Sequence, residues 1–170
     1  MAILKILQYP DSRLFVKAKF VDNVKDPGVK LLIDDMLETL ASLKNCAGLA
    51  ATQLDVKTAW NVTVIAPTPE IQKTLCLINL EILHTEGESS EMEGCMSVYP
   101  DKVWARVKRA SNVTFKALDR EGNKIEMSTG GFLAKCIQHE EDHLNGLVYV
   151  NRLSSFKKNI LERKISKIKK

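Results

Sequence analysis

Gly131-Phe132-Leu133-Ala134-Lys135-Cys136-Ile137-Gln138-His139-Glu140-Glu141-Asp142-His143 is the stretch around which the rest of this chain is organised. Leu133, Cys136, Ile137 and Glu140 recur at three- and four-residue steps, which puts them on one side of a helix. That helix is expected to start around Thr129-Gly130-Gly131, run through His143 and stop at Asn145-Gly146. His139 and His143 are four residues apart and so stand one turn above each other, where both rings can reach the same point in space. Glu140 follows the first of them. With only three histidines in 170 residues, this spacing rarely arises by chance, although paired histidines can also be no more than a solvated face beside acids. His84 has no such company and reads as an ordinary strand or loop residue.

Working outward, a second helix is predicted after Asp26-Pro27. Aspartate is a good N-cap and proline suits the first helical position. Val29, Ile33, Met36, Leu40 and Leu43 form its apolar stripe, which ends near Asn45. The stretches 61–66, 74–78, 112–117 and 124–127 are β-branched or alternating and read as strands. Asp119 to Asn123 looks like the turn between the last two. A last helix from about Ser155 carries Leu161, Ile165 and Ile168 on one stripe among lysines. Runs of strands with separate helices indicate an α+β fold. Small mixed, mainly antiparallel sheets should pack around the central helix that carries both histidines, flanked by an N-terminal and a C-terminal helix. The length suits a single catalytic domain, expected over residues 1–154. Residues 155–170 would then form a basic helix packed on that domain or projecting from it.

Charge divides the chain in the same place. From Arg152 onward eight basic residues face one acid, Glu162, while the remainder is mildly acidic. That pattern argues against a general or sequence-specific nucleic-acid-binding body and for a tail able to meet an anionic partner. No stretch approaches the roughly 18 apolar residues of a membrane span. The opening Met1-Ala2-Ile3-Leu4-Lys5-Ile6-Leu7 is too short for a signal peptide, so a cytoplasmic location is expected. Cys46, Cys76, Cys95 and Cys136 would then stay reduced, and are buried, catalytic or metal-bound rather than paired.

The pattern His139-Glu140-Glu141-Asp142-His143 is the H-E-x-x-H arrangement of metallohydrolases, with the glutamate placed to touch water on the ion. A catalytic site of this kind needs a third protein ligand. The metzincin continuation would put a histidine at position 149, which is Tyr149. A thermolysin-like site would take a downstream glutamate, and Glu162 sits in the lysine-rich tail. Upstream, Glu93-Gly94-Cys95-Met96-Ser97 offers a thiol, and one thiolate with two imidazoles makes a good set for zinc or ferrous iron.

Three segments in this order resemble the signature of peptide deformylases. They are Cys46-Ala47-Gly48-Leu49-Ala50-Ala51-Thr52-Gln53, Glu93 to Ser97, and Gln138 to His143 continuing Leu144-Asn145-Gly146. Tyr9-Pro10-Asp11-Ser12-Arg13-Leu14 is similar to the family's opening. The resemblance implies that Cys95, His139 and His143 bind one divalent ion, ferrous iron with zinc as the alternative, and that Glu140 is the general acid/base. It further implies that Gln53 and the Met96 N–H bond the reacting carbonyl oxygen. Gly48 and Ala47 would face substrate. Glu93 would pair with Arg109, or with Arg106. The implied reaction is hydrolysis of the N-formyl group from the initiator methionine of nascent polypeptides. Phe132, Leu133 and Cys136 would line the pocket for the methionine side chain.

Two departures stand beside that cleft. Cys46 replaces the first glycine of its motif, which would be strained if the position requires positive φ. The stretch from Ser97 to Arg109 is about two residues longer than usual, with Tyr99 inserted before Pro100. Competing readings are a metallopeptidase, a thiol-nucleophile enzyme built on Cys95, and a weakly active relative that binds the ribosome. In the last, Arg163, Lys164, Lys167, Lys169 and Lys170 would meet RNA phosphates.

Overall fold

The computed structural model describes residues 2–169. Helix α1 (Pro27–Ser42) begins where the sequence places it, with the Asp26 carboxylate accepting from Gly28 N at 2.7 Å and Val29 N at 3.2 Å. It ends at Ser42, before the expected Asn45, because Leu43 turns extended and starts the run into the first strand.

Seven strands follow among the described residues: β1 (Gly48–Ala50), β2 (Val62–Ile65), β3 (Leu75–Glu86), β4 (Ser89–Glu93), β5 (Ala105–Arg109), β6 (Asn112–Leu118) and β7 (Lys124–Thr129). Five of them form one sheet in the order β1-β2-β3-β6-β7, while β4 and β5 pair separately. Every pair is antiparallel. β3 runs eight residues past its expected end at Ile78, with register shifts after Ile78 and Ile82 and Asn79 at φ 56°. Those irregularities break the alternation by which sequence reveals a strand. The turn at Asp119 forms as expected, its carboxylate accepting from Glu121 N and Asn123 N.

The five-stranded sheet is covered on both faces, as the wholly buried β2 shows. Alternate residues of a strand point to opposite sides. Val62 and Val64 pack with Ile33, Met36 and Leu40 of α1, whereas Ile65 packs with Leu133, Ile137 and Leu144 of helix α2 (Gly131–Leu144). α2 is therefore the central helix.

Its N-terminus carries a feature the sequence did not announce. Gly130 has no side chain to cap with, and Glu70 supplies the carboxylate from a distant loop to Phe132 N at 2.9 Å and Leu133 N at 3.2 Å. At the other end Gly146 has φ 76°, and a Cβ there would lie 2.7 Å from Phe15 O, so glycine is demanded twice over.

A further cluster joins β5 to the chain's end. Leu161 and Ile165 of α3 (Ser155–Ile168) are buried with Leu7, Val103, Val107 and Val148, so α3 lies packed on the body. Its Glu162 accepts from the Tyr9 hydroxyl at 2.8 Å, and Arg163, Lys164, Lys167 and Lys169 face solvent. Lys170 lies outside the described residues. No helix among the described residues is long and apolar enough to cross a membrane.

Candidate metal centre

Two turns of α2 and the bend after β4 meet at one place. His143 Nε2 lies 3.2 Å from His139 Nε2 and 3.2 Å from Cys95 Sγ. The three ligand atoms all fall within 4.8 Å of one another, and no other such group occurs among the described residues. Tetrahedral bonds of about 2.0–2.1 Å to nitrogen and about 2.3 Å to sulfur would space such atoms by roughly 3.3–3.6 Å. The donor set thus fits a single soft-tolerant divalent ion in both chemistry and spacing.

The surrounding side chains hold this set in place. Glu93 Oε2 is 3.0 Å from His139 Nδ1, which orients the ring and leaves Nε2 toward the centre. Arg109, not Arg106, bonds Glu93 through both of its oxygens at 2.8 and 3.0 Å. Arg106 instead donates to the Ser90 carbonyl at the surface. Burial by itself would push the Glu93 carboxyl up, but Arg109 and His139 outweigh it and hold the group down to about 2. Burial pushes His143 well below its ordinary value, which favours the neutral form of that ring. Tyr149 stacks on His139 with centroids 6.4 Å apart and donates to the Val103 carbonyl. It fills the position where a metzincin would need a ligand. Glu162 is engaged by Tyr9, so the thermolysin-like alternative has no ligand either.

Glu140 is 3% exposed, and burial pushes its carboxyl up to about 7 against the opposing pull of His139 and of the Thr63 hydroxyl. A group with that value both takes and returns a proton near neutrality. Its position depends on Gly48, where a Cβ would lie 2.7 Å from Glu140 Oε1 and 3.2 Å from Val64 O. Gln53 is also buried. Its Oε1 accepts from Ala50 N at 2.9 Å, which aims Nε2 at Cys95 Sγ (3.5 Å) and Ser97 Oγ (3.1 Å).

A cavity of about 220 Å³ opens onto these groups. Cys46, Ala47, Gly48, Met96, Phe132 and Cys136 line it with Glu140 and His139. Leu133 does not, since it is fully buried on the sheet side of α2. Pro100 and Asp101 border the cavity, whereas Tyr99 packs into the core that holds α3 and reaches φ 45°. The strain expected at Cys46 is absent because the left-handed residue of that bend is its neighbour Asn45 (φ 57°). Burial pushes the Cys46 thiol up to about 12, so it stays protonated, 3.2 Å from the Gly48 carbonyl.

Sequence reasoning passed over several residues that the fold brings here. Thr63, Trp104 and Arg152 carry no local pattern that would single them out, and the motif that ends at Ser97 assigns that residue no role of its own. Asp142 lay inside the decisive stretch, but only its burial beside Arg109 at 2.6 Å gives it a role.

Comparison with known proteins agrees with this geometry. A family model described as polypeptide deformylase matches residues 3–159. Peptide deformylase 1 of Coxiella burnetii is 44% identical over 168 residues, covering 99% of this chain and 98% of that one. A peptide deformylase of Chromobacterium violaceum is 44% identical over 170 residues, covering 100% of this chain and 98% of its own. Among solved structures, a peptide deformylase from Legionella pneumophila superposes with a TM-score of 0.86 at 39% identity, over 99% of this chain and 96% of that one. One from Ehrlichia chaffeensis in complex with actinonin gives 0.87 at 33% identity, over 98% of each chain.

Proposed function

This chain belongs to the peptide deformylase family, and on that premise we propose how its residues divide the work of removing the N-formyl group from nascent polypeptides. The observation that carries the proposal is one thiol and two imidazoles converging beside a buried carboxyl at the end of a cavity. Cys95, His139 and His143 would hold a divalent ion, which would supply Lewis acidity to the carbonyl and to the attacking water. Glu140 accepts the proton of the attacking water and passes it to the departing amine nitrogen, so that formate and a free N-terminus result. Gln53 Nε2 and the Met96 N–H donate to the formyl oxygen as negative charge grows there. Gly48 and Ala47 give the peptide backbone close access. Phe132 and Cys136 take the methionine side chain.

The discriminating assay pairs a formyl-Met peptide with its unblocked counterpart, before and after treatment with a chelator. Formate should appear from the first peptide only, and chelation should stop it. Cleavage of the unblocked peptide would favour a metallopeptidase, and activity that survives chelation would favour a cysteine nucleophile.

Ferrous iron is the ion the family resemblance implies. Intrinsic affinity favours zinc at such a set, so supply and oxygen exposure decide occupancy. Anaerobic purification with elemental analysis should recover iron near one per chain, and zinc alone would overturn that assignment.

The exposed cations of α3 are proposed to meet ribosomal RNA phosphates. Deleting α3 would uncover Leu7, Val103, Val107 and Val148, on which Leu161 and Ile165 pack, so the cleaner variant reverses charge at Arg163, Lys164 and Lys167 together. Co-sedimentation with ribosomes should fall steeply as salt rises and be lost in that variant. Equal pelleting of both proteins at every salt concentration would dismiss the contact.

A further inference from the structure

The Glu93–Arg109 pair does not end at Arg109. The third nitrogen of the same guanidinium, Nη1, donates to Asp142 Oδ2 at 2.6 Å, and Asp142 is held in turn by Arg152. Arg152 Nε reaches Asp142 Oδ2 at 2.8 Å while its Nη2 takes Oδ1, a two-point fork on one carboxylate. A continuous chain of contacts therefore runs from His139 through Glu93, Arg109 and Asp142 to Arg152. Charge alternates along it, so Glu93 and Asp142 are balanced by Arg109 and Arg152. The inner three side chains are between 2% and 5% exposed, and the guanidinium of Arg152 closes the series at the surface, 46% exposed.

We infer that Arg152 is a positioning residue for the metal centre, keeping Arg109 on Glu93 and thereby His139 in its ligating orientation. This rests on the metal-site reading above. The physical argument is competition for one guanidinium. Asp142 Oδ1 has no donor other than Arg152 among the described residues. Without it Asp142 Oδ1 loses its one protein donor and the carboxylate one of its two cations, which leaves Arg109 as its remaining ionic partner. The nearest remedy is for Arg109 to turn both of its outer nitrogens onto Asp142, and each bond gained there is one withdrawn from Glu93. Glu93 would then hold the His139 Nδ1 side less firmly, which loosens a ligand from behind.

Arg152 is also two residues ahead of Ser154, the N-cap of α3. A change at Arg152 therefore has a second route of action, through loosening that helix. The control is Tyr9→Phe, which removes the Tyr9–Glu162 bond that ties α3 to the body and leaves the ionic chain untouched.

The test loads the full-length protein with Co(II) and follows the visible bands of the bound ion during a chelator challenge. Arg152→Gln should release cobalt about tenfold faster than the parent, the lower end of what partners behind metal ligands contribute. Arg152→Lys keeps the charge but loses the fork, and should fall between the two. Tyr9→Phe should release cobalt at the parent's rate even where its thermal midpoint falls. Equal release by Arg152→Gln and the parent would overturn the role of Arg152 while leaving the metal site standing. An acceleration in Tyr9→Phe equal to that in Arg152→Gln would overturn it too, since the effect would then belong to α3. A parent that binds no cobalt would overturn both the site and the inference.

Discussion

Glu140→Gln is expected to lower formate release by about 10²–10⁴-fold, the usual share of a positioned acid/base, while the metal content stays at one per chain. The substitution is nearly isosteric, so the 3%-exposed side chain still fits beneath Gly48 and beside the Thr63 hydroxyl. It removes the proposed proton acceptor and nothing from the Cys95/His139/His143 set. Single-turnover assays with elemental analysis of the same sample separate the two effects. Full activity with metal bound would show that the proton travels by another group. Loss of metal together with activity would mean that the carboxylate matters for the ion rather than for the proton.

Arg109→Met is expected to cost the fold about 3–5 kcal/mol, the scale for removing one partner of a buried ion pair. Arg109 sits 2% exposed between Glu93 and Asp142, which are 3% and 5% exposed. The variant leaves two carboxylates without the cation between them, a cost that solvent cannot screen. The shift should be read as a lower denaturant midpoint with an unchanged slope. Arg109→Lys restores charge but not the fork to both partners, so it should recover only part of the loss. A deficit below about 1 kcal/mol, typical of an exposed pair, would mean that the interior around Arg109 is wetter than its burial indicates.

Much of the site was legible because local spacing encodes geometry within one element. A helix of 3.6 residues per turn places His139 and His143 together whatever surrounds them, and Asp26-Pro27 starts α1 through a side chain next to its own backbone. The helix carrying the histidines, the turn at Asp119 and the apolar stripe that docks α3 were readable on the same grounds. β4 and β5 were not. Ser89 to Glu93 shows no apolar alternation, and those residues become strand only because Arg109 to Ala105 lies alongside them in register. Cys46 misled in a similar way, since the sequence flags an unusual residue but not which member of a bend takes positive φ, and that member is Asn45.

By itself, then, the sequence determined helices α1 and α2, the paired imidazoles with their acid, and the excess of positive charge at the C-terminal end. Contacts between neighbours in one helix or turn depend on backbone periodicity, which residue order specifies directly. Tertiary structure decided what comes from afar: that Glu70 caps α2, that Leu133 serves the core while Phe132 faces the cavity, and that Arg109 rather than Arg106 turns inward. It also decided that Asp142 and Arg152 extend the ionic chain behind His139. Such choices follow from which groups are shut away from water together, because an unpaired charge or amide is costly only once it is buried, and burial is a property of the whole packed chain.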